Sequence, residues 1–146
     1  MNEYTSAVTV LSEQESWELV RTQRVGRLVT RVGEVVDIAP INFVVDGSSL
    51  VFRTAAGSKL SELTINDAVV FQVDSYGGAD GWSVVLRGTA RVLEGGDEVL
   101  AAAALPLRPF VSTVKPTFVR IEIASLSGRS FVFGPEPDLD AALQDG

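Results

Sequence analysis

A mainly β fold, an antiparallel barrel of six or seven strands with single helices inserted between hairpins, is what this sequence predicts. Three observations carry it. Short runs of β-branched and aromatic residues alternate with polar ones, separated by clusters of Gly, Asp and Ser. Helical stretches are few and do not alternate strictly with strands, which argues against a doubly wound parallel sheet. Gly88 interrupts a long strand run and marks a bulge where a sheet curls toward closure.

The elements follow in order. Ser12-Glu13-Gln14-Glu15 reads as a capping box, opening a helix that carries Trp17, Leu19 and Val20 to about Gln23. Arg27 to Val32 and Val35 to Val45 are strand runs joined by a tight Gly33-Glu34 turn, and Asp46-Gly47-Ser48-Ser49 leads into Leu50 to Thr54. Pro40 cannot donate a ladder hydrogen bond, so its strand is expected at an edge or bulged, with backbone groups left for a ligand. Ser58 to Leu63 is a short helix, then Ala68 to Ser75 and Trp82 to Leu93 are strands turned by Tyr76 to Gly81. Asp97 to Leu105 is helical, and Pro106, Pro109 and Pro116 break the connection. Thr117 to Ile123 and Arg129 to Phe133 are the last strands, joined through Ser127-Gly128. Residues 1–133 make one domain, and 134–146 form an acidic tail expected to be flexible.

Composition narrows the chemistry. With 46% apolar and 21% charged residues, the 146-residue chain buries a real core. A net charge of -7 disfavours non-specific contact with nucleic acid or an anionic membrane. There is no histidine and no cysteine, so a Ser-His-Asp triad, a cysteine nucleophile, a disulfide framework and the usual zinc sites are excluded. No apolar run reaches membrane-spanning length, and Met1 to Thr5 lacks a signal-peptide pattern; a cytoplasmic location is expected.

One stretch concentrates positive charge. Arg53-Thr54-Ala55-Ala56-Gly57-Ser58-Lys59-Leu60 follows the strand run Leu50-Val51-Phe52 and opens a helix, and Lys59 is one of only two lysines, with Lys115. An arginine, two hydroxyls, a lysine and a helix N-terminus suit an anion such as phosphate. The spacing is not that of a nucleoside-triphosphate loop, and a solvated turn with Ser58 as N-cap has the same residues.

Together, Pro40-Ile41-Asn42-Phe43, Phe52-Arg53-Thr54 with Gly57-Ser58-Lys59-Leu60, Phe71-Gln72-Val73-Asp74 and Gly81-Trp82-Ser83-Val84-Val85-Leu86-Arg87-Gly88 resemble the pyridoxamine 5'-phosphate oxidase-like family. The resemblance runs from about Leu11 to Phe133. It implies a flavin-binding split barrel, a homodimer with two flavin mononucleotide (FMN) sites at the subunit interface, and oxidoreductase activity on a small molecule. It places Arg53, Thr54, Ser58 and Lys59 at the flavin phosphate. Ile38, Pro40, Ile41, Asn42 and Phe43 fall on the strand beneath the ring, and Trp82, Ser83 and Arg129 on segments near the flavin, the first two from the second subunit. Trp82 equally suits a core or interface aromatic, Arg129 a surface ion pair, and Asn42 an exposed strand position. Lacking histidine, the chain cannot hold the Arg-x-His clamp of the vitamin-making oxidases, so oxidation of pyridoxamine phosphate is not the expected task. Two further readings stay open: use of the deazaflavin F420, with Arg24, Arg27 and Arg31 lining its acidic tail, and a carrier or sensor without turnover.

Overall fold

The capping box forms as its residues require: Glu15 N–H donates to Ser12 Oγ at 3.1 Å, and Ser12 N–H donates to Glu15 Oε1 at 2.9 Å. In this computed structural model, which describes residues 7–55, 57–108 and 115–136 with 138 and 140, the box opens helix α1 (Glu13–Val20). The helix stops at Val20 rather than near Gln23, with Arg21 as C-cap, and buries Ser16 and Val20. Ser12→Ala is expected to lower stability by about 1 kcal/mol, read as a reduced urea midpoint at unchanged slope. Met1 to Thr5, Pro109 and most of the acidic tail beyond Glu136 lie outside the described residues.

The strands are β1 (Val8–Leu11), β2 (Val25–Val32), β3 (Val35–Asn42), β4 (Val44–Asp46), β5 (Ser49–Thr54), β6 (Ala68–Tyr76), β7 (Asp80–Val92) and β8 (Thr117–Val132). Helix α2 (Ser58–Ile65) lies between β5 and β6, and α3 (Gly96–Ala103) between β7 and β8. Every pairing is antiparallel, in the order β3-β2-β6-β7-β8-β5-β4, with β1 added on β8. The run from Val35 to Val45 therefore belongs to both ends of the sheet. Only Phe43 separates β3 from β4, so the sheet curls until its two ends meet at this residue. Phe43 N–H donates to Arg24 O at 2.9 Å, and its ring packs edge-on against Phe71 at 5.1 Å. This is the expected mainly β, curled split barrel with inserted helices.

Pro40 sits where its missing N–H requires, on edge strand β3, opposite Arg27 of β2. The bulge expected at Gly88 is present as well. Arg87 faces Ser125 whereas Gly88 faces Ile123, leaving Ala124 as the extra residue of β8. A side chain at Gly88 would place its Cβ 2.1 Å from Glu122 O, so the close approach of two backbones needs glycine here.

Two expectations are corrected. Thr117 to Ile123 and Arg129 to Phe133 are not separate strands but one strand, β8, which stays paired with β7 through Ser127-Gly128. Gly128 serves contact rather than turning: a Cβ there would meet Ser16 Oγ at 2.4 Å, so its absence lets α1 lie on β8. Residues Val8 to Leu11 form a strand that the sequence reading missed, four residues long and mostly exposed. Pairing with the far end of β8 makes it a strand.

Leu28, Leu50, Phe52, Phe71, Val84, Leu86 and Ile121 fill the barrel interior. A second cluster of Val51, Leu93, Ala102 and Phe118 lies beneath α3 on the other face of β5 and β8. Because β5 is covered on both sides, its neighbours Val51 and Phe52 are both fully buried. Among the described residues, no helix is long and apolar enough to cross a membrane.

Candidate functional site

The residues expected at a phosphate, Arg53, Thr54, Ser58 and Lys59, lie where β5 runs into α2. Gly57, not Ser58, is the N-cap, and among the described residues no side chain caps the helix. The first backbone N–H groups of α2 thus keep their donor capacity at the positive end of the helix dipole. The Ser58 backbone is helical, while its side chain lies outside what is described. Thr54 is buried on the inner face beside Phe52, its hydroxyl donating to Ala55 O at 3.2 Å.

Arg53 leaves the other face of β5. Its Nε donates to Lys115 O at 2.9 Å and its guanidinium lies over the Phe118 ring at 5.0 Å, which orients the remaining N–H groups outward. Lys115 also acts on Lys59 through its charge. The chain's only two lysines and Arg53 therefore share one end of the barrel, and among the described residues none of the three forms a salt bridge. Lys115 was not singled out from the sequence. It is remote in the chain and reaches the cradle through β5–β8 pairing, in which Thr54 faces Thr117.

Lys59 is half-buried and faces a cavity of about 250 Å³ lined with Leu28, Thr30, Asp37, Ile38, Ala39 and Glu62. Burial lowers the affinity of its ammonium for a proton; Glu62 and Asp37 oppose this and Lys115 adds to it. Ile38 and Lys59 thus meet at one cavity, as the cradle and the β3 strand should if one ligand touches both. Along the rest of β3, Pro40 is exposed, and Ile41 and Asn42 are half-buried. Phe43 is core, and Asn42 Nδ2 donates to Arg24 O at 3.4 Å.

Trp82, Ser83 and Arg129 lie elsewhere. Ser83 faces Arg129 across β7 and β8, whereas Arg53 faces Phe118, eleven residues earlier along β8, roughly 35 Å of strand. Within one chain they do not reach the cradle. Trp82 packs partly against the core. Ser83 Oγ accepts from Gln72 Nε2 at 3.0 Å, in a network where Arg27 bonds Gln72 at 2.7 Å and Asp74 at 3.0 Å. Arg129 is exposed. Toward the other end of β6 and β7, the outer face of β3, β2, β6, β7 and β8 carries an open, mainly apolar groove of about 570 Å³, with Val29, Val36, Ala68, Val70 and Ala124 on its walls.

Comparison with known proteins agrees with this architecture. A solved protein of Corynebacterium glutamicum, named as a candidate pyridoxamine 5'-phosphate oxidase, superposes with a TM-score of 0.83 at 38% identity, over 93% of this chain and 99% of that one. A structure described as the FAD binding protein from Mycobacterium smegmatis gives a TM-score of 0.73 at 37% identity, over 86% of this chain and 98% of that one. An uncharacterized protein of Mycobacterium tuberculosis is 40% identical over 95 residues, 65% of this chain and 86% of that protein. Residues 12–130 match the family described as pyridoxamine 5'-phosphate oxidase, and the chain belongs to that family.

Proposed function

We propose that this chain is a flavoprotein, an oxidoreductase that holds FMN by its phosphate and works as a homodimer on a small-molecule substrate. The observation that carries this is the gathering of Arg53, Lys59 and Lys115 at one end of the barrel, where β5 runs into α2. The donor set fits a phosphate: a planar guanidinium, two ammonium groups and backbone amides. The 37% identical M. smegmatis protein, described as FAD-binding, supports a flavin. When bound, the flavin supplies the hydride or electron transfer, which needs no protein nucleophile. The chain's part is to bind, orient and exclude water. Arg53, Thr54, Lys59 and Lys115 would anchor the phosphate end. Among the described strands β3 pairs with β2 alone, so its outer edge from Ile38 to Ile41 offers backbone groups to the ring.

F420 is the weaker reading. Its acidic tail asks for an extended basic track, yet Arg27 is paired with Asp74, Arg31 Nε donates to Gly33 O, and Asp37 and Glu62 put negative charge beside Lys59. Titration of the purified protein with FMN, FAD, F420 and riboflavin, followed by flavin or tryptophan fluorescence, decides among them. Tight FMN binding with much weaker riboflavin binding is the expected result. Binding of F420 alone would overturn the flavin reading. Bound flavin that no nicotinamide donor reduces, and that passes no electrons to quinones, nitroaromatics or oxygen, would make the protein a carrier or sensor.

Distance supports the dimer. Trp82, Ser83 and Arg129 can complete the site only from a second copy, and the apolar outer groove gives that copy a face to bury. Light scattering is expected to give twice the 15.6 kDa of one chain. Val70→Asp in the groove should yield monomers and lose flavin binding together. A monomeric wild-type protein that still binds flavin would defeat the shared site.

A further inference from the structure

Asp37 on β3 and Thr30 on β2 are register partners, so their side chains leave the sheet on the same face, the one that α2 covers with Lys59 and Glu62. Thr30, only 4% exposed, donates its hydroxyl to Glu62 Oε2 at 2.5 Å. Asp37 is hydrogen-bonded to the same Glu62 carboxyl group. Ionised carboxylates only accept hydrogen bonds, so the two can bond each other only once the pair has taken up one proton. Because Thr30 already donates to Glu62, Glu62 is the stronger acid of the two, and Asp37 is the one that takes the shared proton as pH falls. The titration tendencies agree: Asp37 is raised, chiefly by the hydrogen bond with Glu62, and Glu62 is lowered, chiefly by Thr30.

We propose that Asp37 and Glu62 are a proton-sharing counter-anion of Lys59, positioning residues through which a phosphate-bearing ligand binds together with a proton. The inference rests on Lys59 being a phosphate ligand, as argued above. The charged group facing the pair is Lys59 of α2, with Lys115 beyond it before β8, while β2 contributes the uncharged Thr30. A phosphate that draws Lys59 toward itself removes the pair's counter-charge and sets a second anion next to it. Both changes favour the proton on Asp37. A group whose proton affinity rises on binding takes up a proton, so affinity increases as pH falls through the pair's titration range, which for Asp37 lies above its ordinary value. Phosphate protonation near pH ~6 acts in the opposite direction and is common to wild type and variants.

The test is FMN binding by calorimetry in two buffers of different protonation enthalpy across several pH values, on wild type, Asp37→Asn and Glu62→Gln. Wild type is expected to take up protons on binding, and Asp37→Asn distinctly fewer. At pH 8, Asp37→Asn should also bind FMN about three- to ten-fold tighter, because one carboxylate no longer opposes the phosphate. Glu62→Gln keeps the acceptor for Thr30 and should shift proton uptake the same way, which serves if Asp37→Asn folds poorly. Equal proton counts and affinities in all three proteins would overturn the pairing and leave the flavin reading intact. A wild type that binds neither FMN nor FAD would bring down both.

Discussion

Lys59→Ala is expected to weaken FMN binding ten- to a hundred-fold, about 1.5–3 kcal/mol, the scale of a charge-assisted hydrogen bond. The surroundings push the loss toward the upper end of that range. Without the ammonium, Asp37 and Glu62 would face the phosphate with no counter-charge between them. Lys115 and Arg53 remain, so binding should not vanish. Riboflavin, which lacks the phosphate, should bind wild type weakly and lose little more in the variant. The two losses must therefore be non-additive in a double comparison of ligand and variant. Apoprotein stability should change little, since among the described residues Lys59 forms no salt bridge. Equal weakening toward FMN and riboflavin would mean that Lys59 acts through structure. No weakening would return the stretch from Arg53 to Lys59 to an ordinary turn before a helix.

Gly88→Ala is expected to destabilise the fold by roughly 2–3 kcal/mol, a large effect for one methyl group. The added Cβ would lie 2.1 Å from Glu122 O and 2.9 Å from Glu122 C. These are backbone atoms, and no rotamer change relieves the contact. Either β7 and β8 separate, or the bulge shifts. Either change disturbs the β7–β8 pairing that sets Ser83 opposite Arg129, so flavin binding should fall with stability. Urea unfolding measures the first effect and FMN titration the second. Gly96→Ala is the control, since nothing lies within 4 Å of its added Cβ, and its change should stay within about 0.5 kcal/mol. If Gly88→Ala unfolds at the wild-type midpoint, the close backbone approach does not hold the bulge.

Much of the barrel was legible because its signals are local. Ser12 and Glu15 are three residues apart and satisfy each other wherever the helix goes. Pro40 announces an edge by its missing donor, and Gly88 a close approach by its missing side chain. The strand-to-helix junction that holds Arg53, Thr54 and Lys59 was legible for the same reason, since these residues are close in the chain. Ser127-Gly128 reads as a break between two strands because connecting and contact glycines look alike in sequence. What told them apart was Ser16 on the other side.

By itself, the sequence determined a mainly β chain with inserted helices, an edge strand, a bulge, a cationic junction, and the absence of any chemistry that needs histidine or cysteine. Only the tertiary structure decided that Phe43 joins the two ends of the sheet, that β8 is one strand, that Lys115 stands behind Lys59, and that Asp37 meets Glu62. The reason is physical. Backbone propensity and capping act over a few residues, whereas these four features arise from antiparallel pairing and helix packing that join segments remote in the chain. Such contacts are chosen by how the whole barrel closes over its core.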